Sequence, residues 1–136
     1  MSEASDFLAT MLPRFIEVED AFHGGDAGPR KAMWSHEDPV TLFGAAYMGS
    51  GWAELGPIFD RLATEFSNFS ASEVEVVAAD AKGDLAYLVA IEHTTASIRG
   101  GEPKPYQLRV TTIFRREDGE WKPVHRHADP VPQESG

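Results

Sequence analysis

The sequence contains no cysteine, which excludes thiol nucleophiles, CxxC redox chemistry and cysteine-ligated zinc. Positive charge is scarce: 12 Lys and Arg stand against 22 Asp and Glu, for a formal net charge of −10. A balance of that sign opposes binding to phosphate backbones or anionic lipid surfaces. There is no run of about 18 apolar residues such as a membrane-spanning helix needs. Residues 1–20 mix acidic with apolar side chains, unlike the basic and then apolar regions of a secretory leader. Neither GxGxxG nor GxxxxGKS/T occurs among the 12 glycines, so they build no phosphate cradle. The expectation is a cytoplasmic protein with no nucleic-acid partner, no membrane partner and no cofactor.

What is present is ample apolar material, 42% of 136 residues with 10% aromatic. A chain of this length buries roughly 68% of its unfolded surface, enough for one core and a ligand cavity without a staple. Leu8, Met11, Leu12, Phe15, Val18 and Phe22 recur at three-and-four spacing, which predicts a helix over 6–23. Pro13 either kinks it or starts it anew. A short second helix is expected over 26–34, with Pro29 in its first turn, then a strand over 40–43 and a glycine-rich loop over 44–51. A third helix places Trp52, Leu55, Phe59, Leu62 and Phe66 on one face. From Asn68 onward β-branched and aromatic segments follow at about 74–77, 85–98, 106–116 and 121–129, separated by turn signals. The pattern predicts one α+β domain over 1–136, in which helices cover one face of a curved, mainly antiparallel sheet. The tail from about residue 130 is expected to fray.

Several residue sets carry possible chemistry. Asp38 precedes Pro39-Val40 and is either a pocket base or the cap of a turn. Strict alternation along the last strand puts Trp121, Pro123, His125, His127 and Asp129 on one face and Lys122, Val124, Arg126 and Ala128 on the other. Two imidazoles and a carboxylate on one side admit three readings. They form an acid/base pair oriented by Asp129, a two-His-one-carboxylate metal site, or a hydrogen-bonded set at a pocket mouth or dimer interface. Alternate strand residues stand about 6.5–7 Å apart, so three such ligands converge poorly and no metal is expected. Arg109 on the neighbouring strand is placed to fork onto Asp129, Glu92 or an anionic ligand. Trp34, Phe43, Tyr47, Trp52, Phe59, Leu62 and Tyr87 supply apolar lining, Trp34 and Phe43 flanking the segment from His36 to Asp38.

The stretch TTIFRREDGEWKPVHRH at 111–127, after WSHEDPVTLFG at 34–44, resembles the ketosteroid isomerase-like (SnoaL-like) branch of the nuclear transport factor 2-like superfamily. That resemblance implies a cone-shaped roll, with three helices packed in a strongly curved sheet around an open-ended apolar pocket. It also implies a homodimer through the outer sheet face. In the steroid isomerases an aspartate before Pro-Val is the general base, which points to Asp38; their helix-one tyrosine is replaced here by Phe15 and Phe22. The expected function is a pocket for a small apolar molecule, as in an isomerase, cyclase or dehydratase using acid/base chemistry on a cyclic carbonyl compound. Asp38, with His127 and Asp129, would be catalytic, and Trp34, His36, Phe43, Phe59, Arg109 and His125 would line the pocket. The alternative is a non-catalytic dimeric ligand-binding or accessory module.

Overall fold

The structure is a computed structural model that describes residues 2–132. The chain forms α1 (Glu3–His23), α2 (Gly28–Met33), β1 (Thr41–Phe43), β2 (Met48–Ser50), α3 (Trp52–Thr64), β3 (Phe66–Lys82), β4 (Leu85–Ile98), β5 (Lys104–Glu117) and β6 (Glu120–Pro130). The six strands make one sheet in the order β2-β1-β6-β5-β4-β3. All neighbours are antiparallel except β1 and β6, which run parallel. Three helices on one face of this curved sheet give the α+β cone expected from the pattern. No helix among the described residues is long and apolar enough to cross a membrane.

Helix α1 starts earlier than its apolar spacing suggests, because Ser2 caps it by accepting the Ser5 N–H at 3.0 Å. It runs unbroken through Pro13. An interior proline costs about 3 kcal/mol, but Phe7 and Met11 before it and Phe15 and Val18 after it are all buried in one cluster with Leu88, Phe114 and Trp121. Breaking the helix would strip one half of that stripe from the core. A second cluster joins Phe22, Trp34, Val40, Leu42, Leu55 and Phe59 beneath α2 and α3. Phe66, expected on the face of α3, instead opens β3 opposite Ile98.

Strand β2 forms inside the stretch expected to be a loop. A Cβ at Gly49 would meet the Ile58 side chain at 2.8 Å, so glycine lets this strand lie against α3. Asp118 and Gly119, with φ of 51° and 79°, make the two-residue hairpin turn that joins β5 to β6.

The last strand departs from strict alternation. Ile113 pairs with His125 but Phe114 pairs with Pro123, so Val124 is an extra residue in a β-bulge. Proline has no N–H for the ladder and is accommodated at such a place. Trp121 and Pro123 are buried, and beyond the bulge Arg126 and Ala128 are the buried ones. His125, His127 and Asp129 therefore lie on the outer face, which corrects the expected sharing of a face with Trp121 and Pro123. Pro130, the last residue of β6, pairs with Leu108, and the Val131 N–H donates to the Gln107 carbonyl at 3.3 Å, so the backbone is still paired at the first residues of the expected tail. The rest of that expectation, residues 133–136, lies outside the described residues.

Candidate functional site

The end of α1, Arg30 of α2, the end of α3, the 44–47 loop, the end of β4 and strands β1, β5 and β6 line a cavity of ≈ 340 Å³. Phe22, Leu42, Leu62, Phe66, Leu108 and Ala128 make its walls largely apolar, while His23, Arg30, Tyr106 and Arg126 contribute polar groups. At the mouth the Tyr47 hydroxyl donates to Glu65, and Arg99 Nε donates to the same carboxylate at 3.1 Å. These bonds tie the 44–47 loop to the end of α3 and to the β4–β5 turn. The Tyr47 hydrogen bond is the main cause that holds the Glu65 carboxyl below its ordinary pKa.

Four charged side chains are buried beside this cavity. Arg126 grips Glu92 with two hydrogen bonds of 2.9 and 2.8 Å, Arg30 pairs with Glu19, and Arg126 Nη1 lies 3.9 Å from Glu19 Oε1. Two guanidinium groups thus face two carboxylates, and the group is neutral as a whole. Burial pushes the Glu19 pKa up, but the Arg30 and Arg126 charges outweigh it and hold the carboxyl below its usual value. Arg30 also lies over the Phe22 ring, 3.6 Å from its centre, a cation–π contact that is strongest where water is excluded.

His23, on the last turn of α1, is 5% exposed and bonds through Nδ1 to the Glu19 carbonyl at 2.7 Å. Burial pushes its pKa below 6.5 by more than Glu19 raises it. The unfolded chain then binds more protons than the folded one in the interval between the two pKa values. This contribution to stability is complete above pH 6.5 and is lost as pH falls through the lowered folded value. Urea denaturation at pH 7.5 and 5.5 is expected to show a larger loss for wild type than for His23→Gln; equal losses would contradict the burial of a neutral imidazole.

The residues singled out in the sequence fall into three places. Asp38 Oδ1 accepts the Trp52 N–H at 2.8 Å, alongside Gly51 with its φ of 89°. It bonds the start of α3, a contact with a distant helix rather than with a turn at Pro39, and its peptide to Pro39 is cis. His36 is exposed, bonds the Lys31 carbonyl at 2.6 Å and stacks on Trp52 at 3.9 Å. Trp34 and Phe59 pack against each other in the core with ring centres 5.0 Å apart. The remaining set gathers on the outer sheet face. There Arg109 forks onto Asp129 at 2.7 and 2.9 Å, His125 bonds Thr41 Oγ1 at 2.7 Å, and Phe43 packs edge-on against His125 and His127. The Arg109 hydrogen bond holds the Asp129 carboxyl below its ordinary pKa. Of the apolar candidates, Tyr47 and Leu62 reach the cavity, while Tyr87 is exposed. Among the described residues no three His, Asp or Glu side chains converge as a metal site requires.

Replacing Asp38 by alanine is expected to lower stability by about 1 kcal/mol, the usual loss for a helix cap, and to leave ligand binding at the wild-type level. Denaturation and a thermal-shift titration check both parts. Lost binding with unchanged stability would move Asp38 into the site.

Sequence pattern does not single out the cavity residues His23, Arg30, Tyr106 and Arg126, although alternation puts Arg126 on the face opposite the histidines. The signal that reveals it is Pro123, because a proline in the middle of a strand marks a bulge and so a change of face.

Three solved structures share this fold. Ketosteroid isomerase-like protein from Erwinia carotovora atroseptica superposes with a TM-score of 0.75 at 17% identity, covering 93% of this chain and 98% of that one. A candidate dehydratase of the nuclear transport factor 2-like family from Streptomyces avermitilis gives 0.74 at 18% identity, covering 95% and 99%. A candidate calcium/calmodulin-dependent protein kinase type II association domain from Thiobacillus denitrificans gives 0.72 at 20% identity, covering 90% and 96%. At such identities the likeness speaks for the fold, which hosts unrelated activities. No curated protein matches the chain significantly in sequence. The SnoaL-like domain family matches residues 16–132, and with the cone fold and its inner cavity this places the chain in that family.

Proposed function

We propose that this is a small-molecule pocket protein whose inner cavity takes a mostly apolar compound with one uncharged polar end. The observation that carries the reading is the ≈ 340 Å³ cavity, apolar in its walls, with polar groups from α1, α2, β5 and β6 in its lining. Its volume falls within the usual range for ligand sites, about 300–1,000 Å³. The family hosts isomerase and polyketide cyclase functions, and the proposed activity is of that kind: isomerisation, cyclisation or dehydration of an apolar cyclic carbonyl compound by general acid/base chemistry. Under this reading the outer sheet face serves association. Val77, Leu85, Tyr87 and Ile113 are exposed there, a concentration of apolar surface that fits a second copy of the chain.

Thermal shift against steroids, aromatic polyketides and cyclic ketones tests the pocket without an assay for turnover, because a ligand that binds the folded state raises its melting temperature. Wild type is expected to respond to at least one class, and Ala128→Leu, which narrows the cavity, to respond less. Absence of any response in wild type would contradict the reading. A non-catalytic binding module is the second reading, favoured by phenylalanines Phe15 and Phe22 on helix α1 where the steroid isomerases carry a tyrosine. Binding without conversion of any ligand after prolonged incubation would select it.

A further inference from the structure

We propose that His23 is the general base of this pocket, taking a proton through Nε2 from a carbon next to the carbonyl of an uncharged cyclic ketone, with Tyr106 donating to the carbonyl oxygen. The inference rests on the pocket reading above and gives the reaction its residues.

The His23 ring has one assignment of protons that fits its surroundings. Nδ1 lies 2.7 Å from the Glu19 carbonyl, and a carbonyl only accepts, so Nδ1 carries the proton. In the neutral ring Nε2 is then a free lone pair. It has no hydrogen-bond partner among the described residues, and the ring lines the cavity. Phe22, Phe66 and Phe69 surround it, the Phe66 ring centre at 4.7 Å, so the imidazole is held in place. The charged groups that act on it are Glu19, Arg30 and Glu92; burial, with the Arg30 charge on its side, outweighs Glu19 and Glu92 and keeps the ring neutral. A neutral imidazole at ordinary pH is the form a general base needs.

Two donors in the same cavity lining lack an acceptor. Among the described residues neither the Tyr106 hydroxyl nor Arg30 Nε has a hydrogen-bond partner of acceptable geometry, although Thr94 lies across the strand from Tyr106, close enough to act on its hydroxyl. Buried donors are normally satisfied, and an acceptor on a ligand would satisfy these. Burial pushes the Tyr106 pKa up to about 12, which keeps its proton in place to donate. The four buried charges already cancel, so a carboxylate or phosphate brought among them would be an uncompensated charge. A base beside unmatched donors, with no net charge, is complementary to an enolisable ketone: an oxygen that accepts and a neighbouring C–H that is acidic.

The step balances without a cofactor. The C–H bond breaks, its proton goes to Nε2, the electron pair forms the carbon–carbon double bond, and the carbonyl oxygen takes the negative charge facing the Tyr106 O–H. The Glu19 carbonyl and carboxylate stabilise the imidazolium. When the Nε2 proton is replaced by one from solvent before return to the same carbon the result is exchange; return from Nε2 to a conjugated carbon gives isomerisation.

The test follows loss of the α-proton signals of 2-tetralone in D₂O by proton NMR, together with its thermal shift. Wild type is expected to accelerate exchange over buffer, with a rate that rises through an inflection below the ordinary histidine pKa. His23→Gln is expected to lose at least about a hundredfold and the inflection with it, the scale of one acid/base group. Tyr106→Phe is expected to lose at least about tenfold while still binding. Binding without accelerated exchange, or exchange unchanged in His23→Gln, overturns the inference and leaves the pocket reading standing. Failure of 2-tetralone to bind overturns it too, and failure of every compound tested overturns the pocket reading as well. Should His23→Gln not fold, ¹⁵N NMR of wild-type imidazoles decides: a protonated Nδ1 and an Nε2 resonance that moves on adding 2-tetralone are expected. A protonated Nε2, or a resonance that stays still, overturns the assignment.

Discussion

Arg126→Met is expected to destabilise the protein by about 3–5 kcal/mol, the loss typical when one partner of a buried ion pair is removed. Arg126 is 6% exposed, makes both hydrogen bonds to Glu92 and is the second cation near Glu19. Without it two buried carboxylates share the single guanidinium of Arg30. Stabilities of natural domains run from about 5 to 15 kcal/mol, so the variant approaches unfolding at room temperature. Removing the orphan as well, in Arg126→Met with Glu92→Leu, restores much of the loss, because apolar pairs of similar volume replace buried ion pairs at little cost. Guanidinium denaturation reads both effects. A loss below about 1 kcal/mol in the single variant is the value for an exposed pair and would contradict the burial of this network.

The second large effect belongs to the outer face. If the outer face serves association as proposed, Ile113→Asp is expected to weaken that association at least about a hundredfold, because it places a charge opposite Tyr87 within the exposed apolar surface. Ile113 is 37% exposed in the single chain, so the fold tolerates the change. Sedimentation velocity across a concentration series checks it. An unchanged dimer would place the interface elsewhere, and a monomeric wild type would remove this association from the account.

How far residues alone announce these features depends on how local the cause is. Phe7, Met11, Phe15 and Val18 recur on one helix face because a single buried stripe selects them. Asp118-Gly119 declares its hairpin because two positive φ values are needed there. Pattern reading fails where the cause lies between elements. Phe66 continues the spacing of α3, yet the helix ends at Thr64 and Phe66 packs from a strand. Gly49 pairs as β2 because of the Ile58 side chain nine residues away. One extra residue at Val124 reverses the faces of everything after it, which moves His127 and Asp129 out of the cone and Arg126 into it. The buried pairs Glu19–Arg30 and Glu92–Arg126 join residues 11 and 34 positions apart. No spacing rule connects residues so placed. The bond from the Trp52 N–H to Asp38 likewise joins residues 14 positions apart, so the residues around Asp38 do not announce it.

The proposed function divides the molecule, with chemistry in the inner cavity and association on the outer face. Chemical-shift mapping of isotope-labelled protein titrated with the compound that most raises its melting temperature tests this most directly. Shifts are expected to centre on His23, Leu62, Tyr106, Leu108 and Ala128, with His125, His127 and Asp129 undisturbed. Shifts centred on that outer trio, with the inner residues silent, would contradict it.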